Sequence, residues 1–349
     1  MNETRTNFSC GAKDLIGVGF SAALLAYTLN KGSLDFQSLE LTLRDAILLL
    51  ISMISFVFTS ILVSWRMRIY VSKECGGFSK AIGFSSLLIG SFYNAILPGN
   101  LGELVKAKHF CSFNNLKFRT AVSLFISEKF LDGIMLSIIS LVLLFSYKLN
   151  QQGFSCLLWM IIAIGGLGSG FIILSYKFPK MSRYIFWIIP SKKVSRFMYA
   201  VFVEFRYRLF SKGNRSMAVI FMLFAILLGV SSTFTFYINM MIGNLPTEMI
   251  RFEHALLLSI VMAVVFFIPS APSSLGVMHY GIYSALVYLA DLHDIPVTQQ
   301  LANQFVFTSI IFHIAYIVPE IVVGAYFVLR DRSIIFDLHG VKSFRWRKN

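Results

Sequence analysis

Charged residues are scarce in this 349-residue chain. Asp, Glu, Lys and Arg make up 14% of it, against 56% for hydrophobic residues, and 17 acidic residues face 31 basic ones. Soluble domains carry about a quarter charged residues, so this composition excludes an ordinary globular protein and leaves little that could fold as a soluble domain. We therefore expect an integral membrane protein with a single membrane domain over residues 1–349.

Sequence signals for metals, disulfides and nucleotides are missing as well. The four cysteines show no CxxC pairing, which argues against a disulfide framework and a zinc site. There is no glycine-rich nucleotide-binding loop, so we do not expect ATP to be the direct energy source. The sequence predicts no cofactor and no bound metal.

Six apolar runs are long enough to cross about 30 Å of hydrocarbon as helices. They cover residues 15–29, 46–65, 121–145, 154–176, 217–242 and 301–329. Two further apolar regions, 81–97 and 255–268, are shorter or more polar and stop at Pro98 and Pro269. Proline ends a helix because it lacks the N–H donor and clashes with the preceding turn. These two regions are therefore not expected to cross.

Both short regions are followed by the same pattern, P-x-x-L-G, as PGNLG over 98–102 and PSSLG over 272–276. Matching breaks in two halves of a chain point to discontinuous helices around a site near the bilayer midplane. With three crossings in each half, the halves would be inverted relative to one another. The predicted fold is an all-α membrane protein of six spanning helices plus two re-entrant helical hairpins, with repeats over 14–146 and 154–329.

The distribution of positive charge predicts the orientation. Segments 66–80, 106–119, 177–215 and 330–349 are rich in Lys and Arg and fall on one side of this topology, which places both termini in the cytoplasm of a multi-pass cell-membrane protein. Segment 177–215 holds ten basic residues and one acidic residue. Its helical apolar stripe predicts an interfacial helix. A plain positive-inside loop and a specific lipid-binding role both explain this charge, and nucleic-acid binding is not expected.

The two breaks supply most of the candidate substrate-binding residues, because a helix broken at membrane depth has to be buried in protein or line a wet cavity. Asn100 with Glu103 would cap the first restarting helix, and Ser273 or Ser274 the second; such N-termini favour a phosphate or carboxylate. Glu103 could instead only close the cap, and Lys106 and Lys108 could snorkel to an interface. The candidates at the breaks are Pro98, Gly99, Asn100, Gly102, Glu103, Lys106, Pro272, Ser273, Ser274, Gly276 and the titratable His279.

Glu128 and Asp132, in SEKFLDG, complete the candidate set. They share one helix face, and Asp132 lies about 16 Å along its predicted span, close to mid-membrane. Ionisable groups at that depth are functional hypotheses. They would take protons or meet a cationic headgroup, or else pair with Lys129, Lys106 or Lys108. His313 and Glu320 in the last span are further candidates, with a satisfied bundle histidine and a near-interface glutamate as alternatives.

These motifs resemble the lysylphosphatidylglycerol synthetase transmembrane region family, which is described as flippase-like. The first Pro-Gly-x-x-Gly motif is similar to LPGNLGELVKA (97–107), the Glu-Arg-x-x-Asp element to SEKFLDG (127–133), the Arg-rich close of the second span to SWRMRIYV (64–71), and the second Pro-rich turn to IPSAPSSLGVMHYG (268–281). The resemblance covers about residues 15–329. Ser273-Ser274 stand where the family has Gly-Gly, and His279 where it has Glu.

The resemblance implies a stand-alone flippase-like membrane protein. Nothing resembles the aminoacyl-transferase domain of some relatives, so lysyl transfer is not implied. We expect a non-enzymatic transporter that moves a lipid, or a lipid-linked anionic headgroup, between leaflets in cell-envelope lipid or glycolipid metabolism. Its partners would be membrane lipids, anionic or polyprenyl-linked.

Two other functions stay open. A membrane-embedded glycosyl or acyl transferase needs an acid or base on an external loop, and the longest such loop, between Asn30 and Asp45, offers only Asp35 and Glu40 inside those bounds. A non-transporting scaffold of an envelope-assembly complex would leave the carboxylates within the spans unexplained.

Overall fold

The computed structural model describes residues 12–32, 42–75, 80–97, 101–114, 116–147, 152–177, 186, 190–210, 215–266, 268 and 270–331. Over these residues the protein forms eleven α-helices and one short 3-10 turn, with no β-strand. The predicted all-α class is confirmed. The helices are α1 (Ala12–Lys31), α2 (Leu43–Cys75), α3 (Lys80–Ile96), α4 (Gly102–Asn114), α5 (Phe118–Tyr147), α6 (Gln152–Lys177), α7 (Lys192–Phe210), α8 (Arg215–Ile242), α9 (Phe252–Val265), α10 (Val277–Leu292) and α11 (Gln299–Arg330).

The six predicted spans correspond to helices α1, α2, α5, α6, α8 and α11. Three segments of the described part are long and apolar enough to cross a membrane, Leu43–Arg68, Met222–Ile242 and Gln299–Arg330. Helix α5 has 30 residues, but its apolar run is interrupted by Glu128, Lys129 and Asp132. The described part therefore contains three helices that could cross a membrane, while a count of six crossings stays a prediction.

The two predicted helix breaks are present. Helix α3 ends at Ile96 and α4 begins at Gly102. Helix α9 ends at Val265 and α10 begins at Val277, with the turn Pro272–Ser274 between them. At 1.5 Å per residue, α3, α4, α9 and α10 measure about 26, 20, 21 and 24 Å, each shorter than the roughly 30 Å of a hydrocarbon core.

Each interrupted pair folds back on itself as an antiparallel hairpin. In the first pair, Ser86 Oγ on α3 lies 2.7 Å from His109 Nδ1 on α4. In the second, His254 near the start of α9 meets His293 just after α10, with 3.3 Å between their Nε2 atoms. Both pairs are therefore helical hairpins, as the sequence predicts, and their re-entrant position in a membrane stays a prediction.

The described residues form two compact units. One lies within Met1–Ser60, Phe84–His109 and Ser231–Asn349, and the other within Ile61–Gly83 and Phe110–Val230. Each unit takes segments from both predicted repeats, 14–146 and 154–329. The inverted symmetry of those repeats stays a prediction.

The first unit contains most of α3 and α4 together with α9, α10 and α11. Helix α10 packs against α9, α11 and α1. Hydroxyl pairs join α2 to α8, since Ser55 Oγ lies 2.8 Å from Thr235 Oγ1 and Thr59 Oγ1 lies 2.7 Å from Ser231 Oγ. Hydroxyls commonly bridge helices in membranes, where water offers no competing partner.

The second unit is built around α5, which packs against α6 and α7. Helix α7 lies in the basic segment 177–215, where the sequence predicts an amphipathic helix. Val201 and Phe205 on its apolar stripe are buried, and the Phe205 ring meets Phe130 on α5 at 5.5 Å between centroids. This part of the stripe is therefore covered by protein, and an interfacial position of α7 stays a prediction.

Candidate functional site

The first hairpin is held together by direct contact between the backbones of α3 and α4. A Cβ atom built on Gly102 would collide with the carbonyl oxygen of Gly90 and lie 2.5 Å from Asn94 Oδ1. Only glycine fits there. Gly102 therefore serves the fold directly, by letting α4 turn back onto α3.

Lys106 is buried one turn further along α4. Only 3% of its side chain is exposed, and its Nζ lies 3.5 Å from Glu103 Oε2, whose side chain is 40% exposed. A Cβ on Gly90 would lie 2.7 Å from the Cβ of Lys106, so the missing side chain of Gly90 makes room for the lysine. Snorkelling does not describe Lys106, because its amine stays inside the protein.

Glu320 of α11 belongs to the same group of polar residues. It is 3% exposed, and its carboxyl group is hydrogen-bonded to the hydroxyls of Ser91 on α3 and Tyr316 on its own helix. Glu320 is therefore enclosed by protein, and whether it lies near a membrane interface, the alternative from the sequence, stays a prediction. Spacing within α11 could have indicated Tyr316, four residues earlier, but Ser91 is distant in sequence.

The second break adopts a strained backbone. Ser273 and Ser274 have φ angles of 57° and 55°, in the left-handed region that non-glycine residues seldom adopt. The predicted serine cap is wrong, because Gly276, with φ of 84°, occupies the N-cap of α10 and no side chain caps that helix. The side-chain hydroxyl of Ser273 donates instead to the carbonyl oxygen of Ala95 at 3.0 Å.

This bond joins the two breaks. Ala95 is the penultimate residue of α3, so the turn at Pro272 contacts the first hairpin where α3 ends. The turn also rests on α1, because the Ala271 amide donates to Ser21 Oγ at 2.9 Å. Pro98, Gly99 and Asn100, which the sequence also proposes for the site, lie outside the described residues.

His279, in the first turn of α10, is buried with both ring nitrogens bonded. Its Nδ1 lies 3.1 Å from Ser309 Oγ, and its Nε2 lies 3.1 Å from Nδ1 of His313. The two imidazoles stack with 4.9 Å between their centroids. The geometry of His313 agrees with the alternative of a satisfied bundle histidine.

Glu128 and Asp132 lie in the second unit, where both bind Arg66 of α2. The Arg66 guanidinium is buried and bridges the carboxylates, donating from Nη2 to Glu128 Oε1 and to Asp132 Oδ2, the latter at 3.0 Å, and from Nη1 to Asp132 Oδ1. Pairing with a cation is thus present, and it includes Arg66, which is not among the partners Lys129, Lys106 and Lys108 that the sequence proposes. The motif SWRMRIYV contained the signal, because it places an arginine at the end of an apolar span.

Within the described residues, no group of three or more His, Cys, Asp or Glu side chains is arranged to hold a metal ion. The chemistry available is that of buried charges and hydroxyls. In the first unit these are Lys106, Glu103 and Glu320 beside two helix breaks.

These features define the class of the protein. It is an all-α membrane protein with paired helix breaks and buried charged side chains. The chain belongs to the lysylphosphatidylglycerol synthase TM region family, whose sequence model matches residues 15–324. This confirms the family resemblance. No curated protein and no solved structure is significantly similar to the chain.

Proposed function

We propose that the protein moves a lipid with an anionic headgroup between the leaflets of a cell membrane. The observation that carries the proposal is the bond from Ser273 to Ala95, which brings the two helix breaks together in one unit. Breaks in hydrophobic helices at corresponding positions mark binding sites in transporters. Family membership supports a lipid-related membrane function.

The chemistry near the first break suits an anion. Helix α4 begins at Gly102 with N–H groups that have no partner within the helix, and helix N-termini carry a partial positive charge. Lys106 adds a buried cation one turn away. A phosphate or carboxylate headgroup could bind at this N-terminus and compete with Glu103 for the amine of Lys106.

In the proposed architecture, α3–α4 and α9–α10 are re-entrant hairpins from opposite sides, and α1, α2, α5, α6, α8 and α11 cross the membrane. The shortness of the four hairpin helices supports this arrangement. The Lys- and Arg-rich segments favour cytoplasmic termini. Alternating access would then arise from rocking of the two repeats around the bound headgroup.

One cluster of side chains has the arrangement found in hydrolases and acyl transferases, which is the alternative function. Ser86 Oγ lies 2.7 Å from His109 Nδ1, and His109 Nε2 lies 3.0 Å from Asp331 Oδ2, the connectivity of a catalytic triad. However, Ser86 is 0% exposed, and a nucleophile has to reach its substrate. We propose that this cluster joins α3, α4 and the end of α11, and that the protein is not an enzyme.

The scaffold alternative is not well tested by replacing the carboxylates that it leaves unexplained. Neutralising Glu128 and Asp132 would also remove the partners of buried Arg66. Loss of cellular function would then report instability as readily as lost transport. Lys106 is the better probe, because its ion-pair partner Glu103 has a side chain that is 40% exposed and can be hydrated when the lysine is replaced.

The experiment reconstitutes the purified protein in liposomes. It measures leaflet exchange of fluorescent phosphatidylglycerol, phosphatidylcholine and polyprenyl phosphate by reduction of the label in the outer leaflet. We expect faster exchange of the anionic lipids than in empty vesicles. Lys106→Gln should slow it at least about tenfold, the effect of losing a charge-assisted hydrogen bond worth about 1.5–3 kcal/mol.

Lys108→Gln, two residues along the same helix, is the matched control and should leave the exchange rate within about twofold. Thermal unfolding of both variants in detergent establishes that they are folded. Exchange no faster than in empty vesicles for all three lipids would refute the proposal. A sugar- or acyl-transfer product detected by mass spectrometry would favour the enzyme.

A further inference from the structure

Glu320 lies deep within α11. The helix spans 32 residues, Gln299–Arg330, or about 48 Å, and Glu320 is about 8 Å from its midpoint. A hydrocarbon layer about 30 Å thick centred on the helix therefore contains this carboxyl group. The residue is also 3% exposed within the protein.

Among the described residues, the partners of the Glu320 carboxyl group are hydroxyls. Its hydrogen bonds go to Ser91 and Tyr316, and within the described residues it makes no ion pair with Lys, Arg or His. The other buried carboxylate in a long helix, Glu128, is bonded to Arg66. In the part of the chain that the structure describes, Glu128 is therefore bonded to a guanidinium, whereas Glu320 is bonded to hydroxyls.

An ionised carboxylate in a low-dielectric interior without a cation costs several kcal/mol. Binding a proton removes that cost, because a new O–H bond at one carboxyl oxygen changes the charge from −1 to 0. The hydroxyls of Ser91 and Tyr316 can form hydrogen bonds with both the ionised and the protonated carboxyl group. They donate to the carboxylate, and one of them can rotate to accept from the carboxylic acid.

The charged groups around Glu320 also bear on this equilibrium. On its own helix the neighbouring titratable group is Tyr316. From α4 the negative charge of Glu103 acts on both Glu320 and Tyr316, and Lys106 is the partner of Glu103. The first hairpin therefore interacts with Glu320 in two ways. Ser91 of α3 makes a hydrogen bond to its carboxyl group, and the negative charge of Glu103 of α4 repels it.

Aromatic rings pack against Tyr316, one of the hydrogen-bond partners of Glu320. The Tyr316 ring meets Phe56 of α2 at 4.9 Å and stacks on Phe266, just after α9, at 5.1 Å between centroids. Pro319, directly before Glu320, removes one backbone hydrogen bond inside α11, so the helix can bend there at lower cost. Glu320 therefore lies where α11 is locally weakened and where it contacts the first hairpin.

We propose that Glu320 is a proton-binding residue that couples lipid movement to a proton gradient. It takes a proton from water on one side of the membrane and returns it on the other. This inference rests on the proposed lipid transport. A sodium site is the competing choice, but Na⁺ prefers more oxygen ligands than the one carboxyl and two hydroxyls found here.

The first experiment is independent of transport. Infrared difference spectra of the purified protein follow the carboxylic-acid C=O band during a pH titration. We expect a band that Glu320→Gln removes and that Glu253→Gln, at an exposed glutamate, leaves in place. Ser91→Ala should shift the midpoint of that band. Spectra of Glu320→Gln identical to the wild type would overturn the inference.

The second experiment measures leaflet exchange in liposomes with and without a pH gradient. We expect the gradient to change the wild-type rate at least fivefold, and exchange by Glu320→Gln to be insensitive to it. Tyr316→Phe retains the carboxyl group but removes one of its hydroxyl partners, so it should shift the pH at which exchange responds to the gradient, and it tests the coupling if Glu320→Gln does not fold.

The outcomes separate the two proposals. Exchange that is present but independent of the pH gradient overturns proton coupling and leaves lipid transport standing. Exchange driven by a sodium gradient alone overturns the proton in favour of Na⁺. Absence of any exchange refutes the proposed function and the coupling, while the infrared titration still decides whether Glu320 binds a proton.

Discussion

Replacing Arg66 with glutamine should destabilise the protein by about 3 kcal/mol. Removing one partner of a buried ion pair typically costs about 3–5 kcal/mol, because the remaining charge stays buried and uncompensated. Two carboxylates depend on Arg66, but they differ in exposure. The Glu128 side chain is 7% exposed, whereas that of Asp132 is 38% exposed and can recover hydration. The expected cost therefore lies at the lower end of the range and comes mainly from Glu128.

The assay is equilibrium unfolding in mixed micelles, with increasing sodium dodecyl sulfate and helical circular dichroism as the signal. Arg68→Gln is the matched control, since Arg68 lies on the same helix two residues further on and is only half-buried. It should change the free energy of unfolding by no more than about 0.5 kcal/mol.

A double variant checks the cause. Arg66→Gln combined with Glu128→Gln should be more stable than Arg66→Gln alone, because the buried unpaired charge has been removed with its partner. The reasoning is refuted if Arg66→Gln unfolds like Arg68→Gln, or if adding Glu128→Gln lowers stability further.

Three other substitutions test particular contacts by the same unfolding titration. Gly102→Ala should lower the free energy of unfolding by about 1–3 kcal/mol, because the new Cβ has no room against α3. Gly166→Ala is the control and should not change it measurably, because a Cβ there meets nothing within 4 Å. Equal effects of the two substitutions would contradict the hairpin contact. Ser273→Gly should be about 1 kcal/mol more stable than Ser273→Ala, since both lose the hydroxyl and only glycine tolerates the positive φ freely. Glu204→Ala should speed amide hydrogen exchange in α7, because its carboxylate accepts from Arg119 Nε at 3.0 Å and from Thr120 Oγ1 at 2.8 Å; unchanged exchange would show that these bonds do not hold the helix.

The sequence was sufficient for the class of protein and for the helix breaks. Long apolar runs and few charges leave a helical membrane protein as the physical solution, because every backbone polar group in hydrocarbon has to be satisfied within the segment. The proline-containing PGNLG and PSSLG motifs indicated the helix breaks, since proline disrupts the helical turn next to it in the chain. The motifs that resemble those of the family are likewise short stretches of consecutive residues.

Local sequence patterns did not indicate which residues of distant segments contact each other. Glu128 and Asp132 were recognised as a pair on one face, yet Arg66, the cation that bridges them, was not among the lysines proposed as partners. The prediction of a serine cap failed for a related reason: Ser273 is held in a left-handed conformation and donates to Ala95 rather than to the helix it precedes.

What the amino-acid order determined by itself is where helices run, where they stop and which residues share a face, because hydrophobic periodicity and proline act over a few residues. Only the tertiary structure decided that the two interruptions touch, that Lys106 is enclosed and that Glu320 faces Ser91. Those outcomes depend on how helices far apart in the chain pack, and the free energy of a buried charge is set by the neighbours that packing supplies.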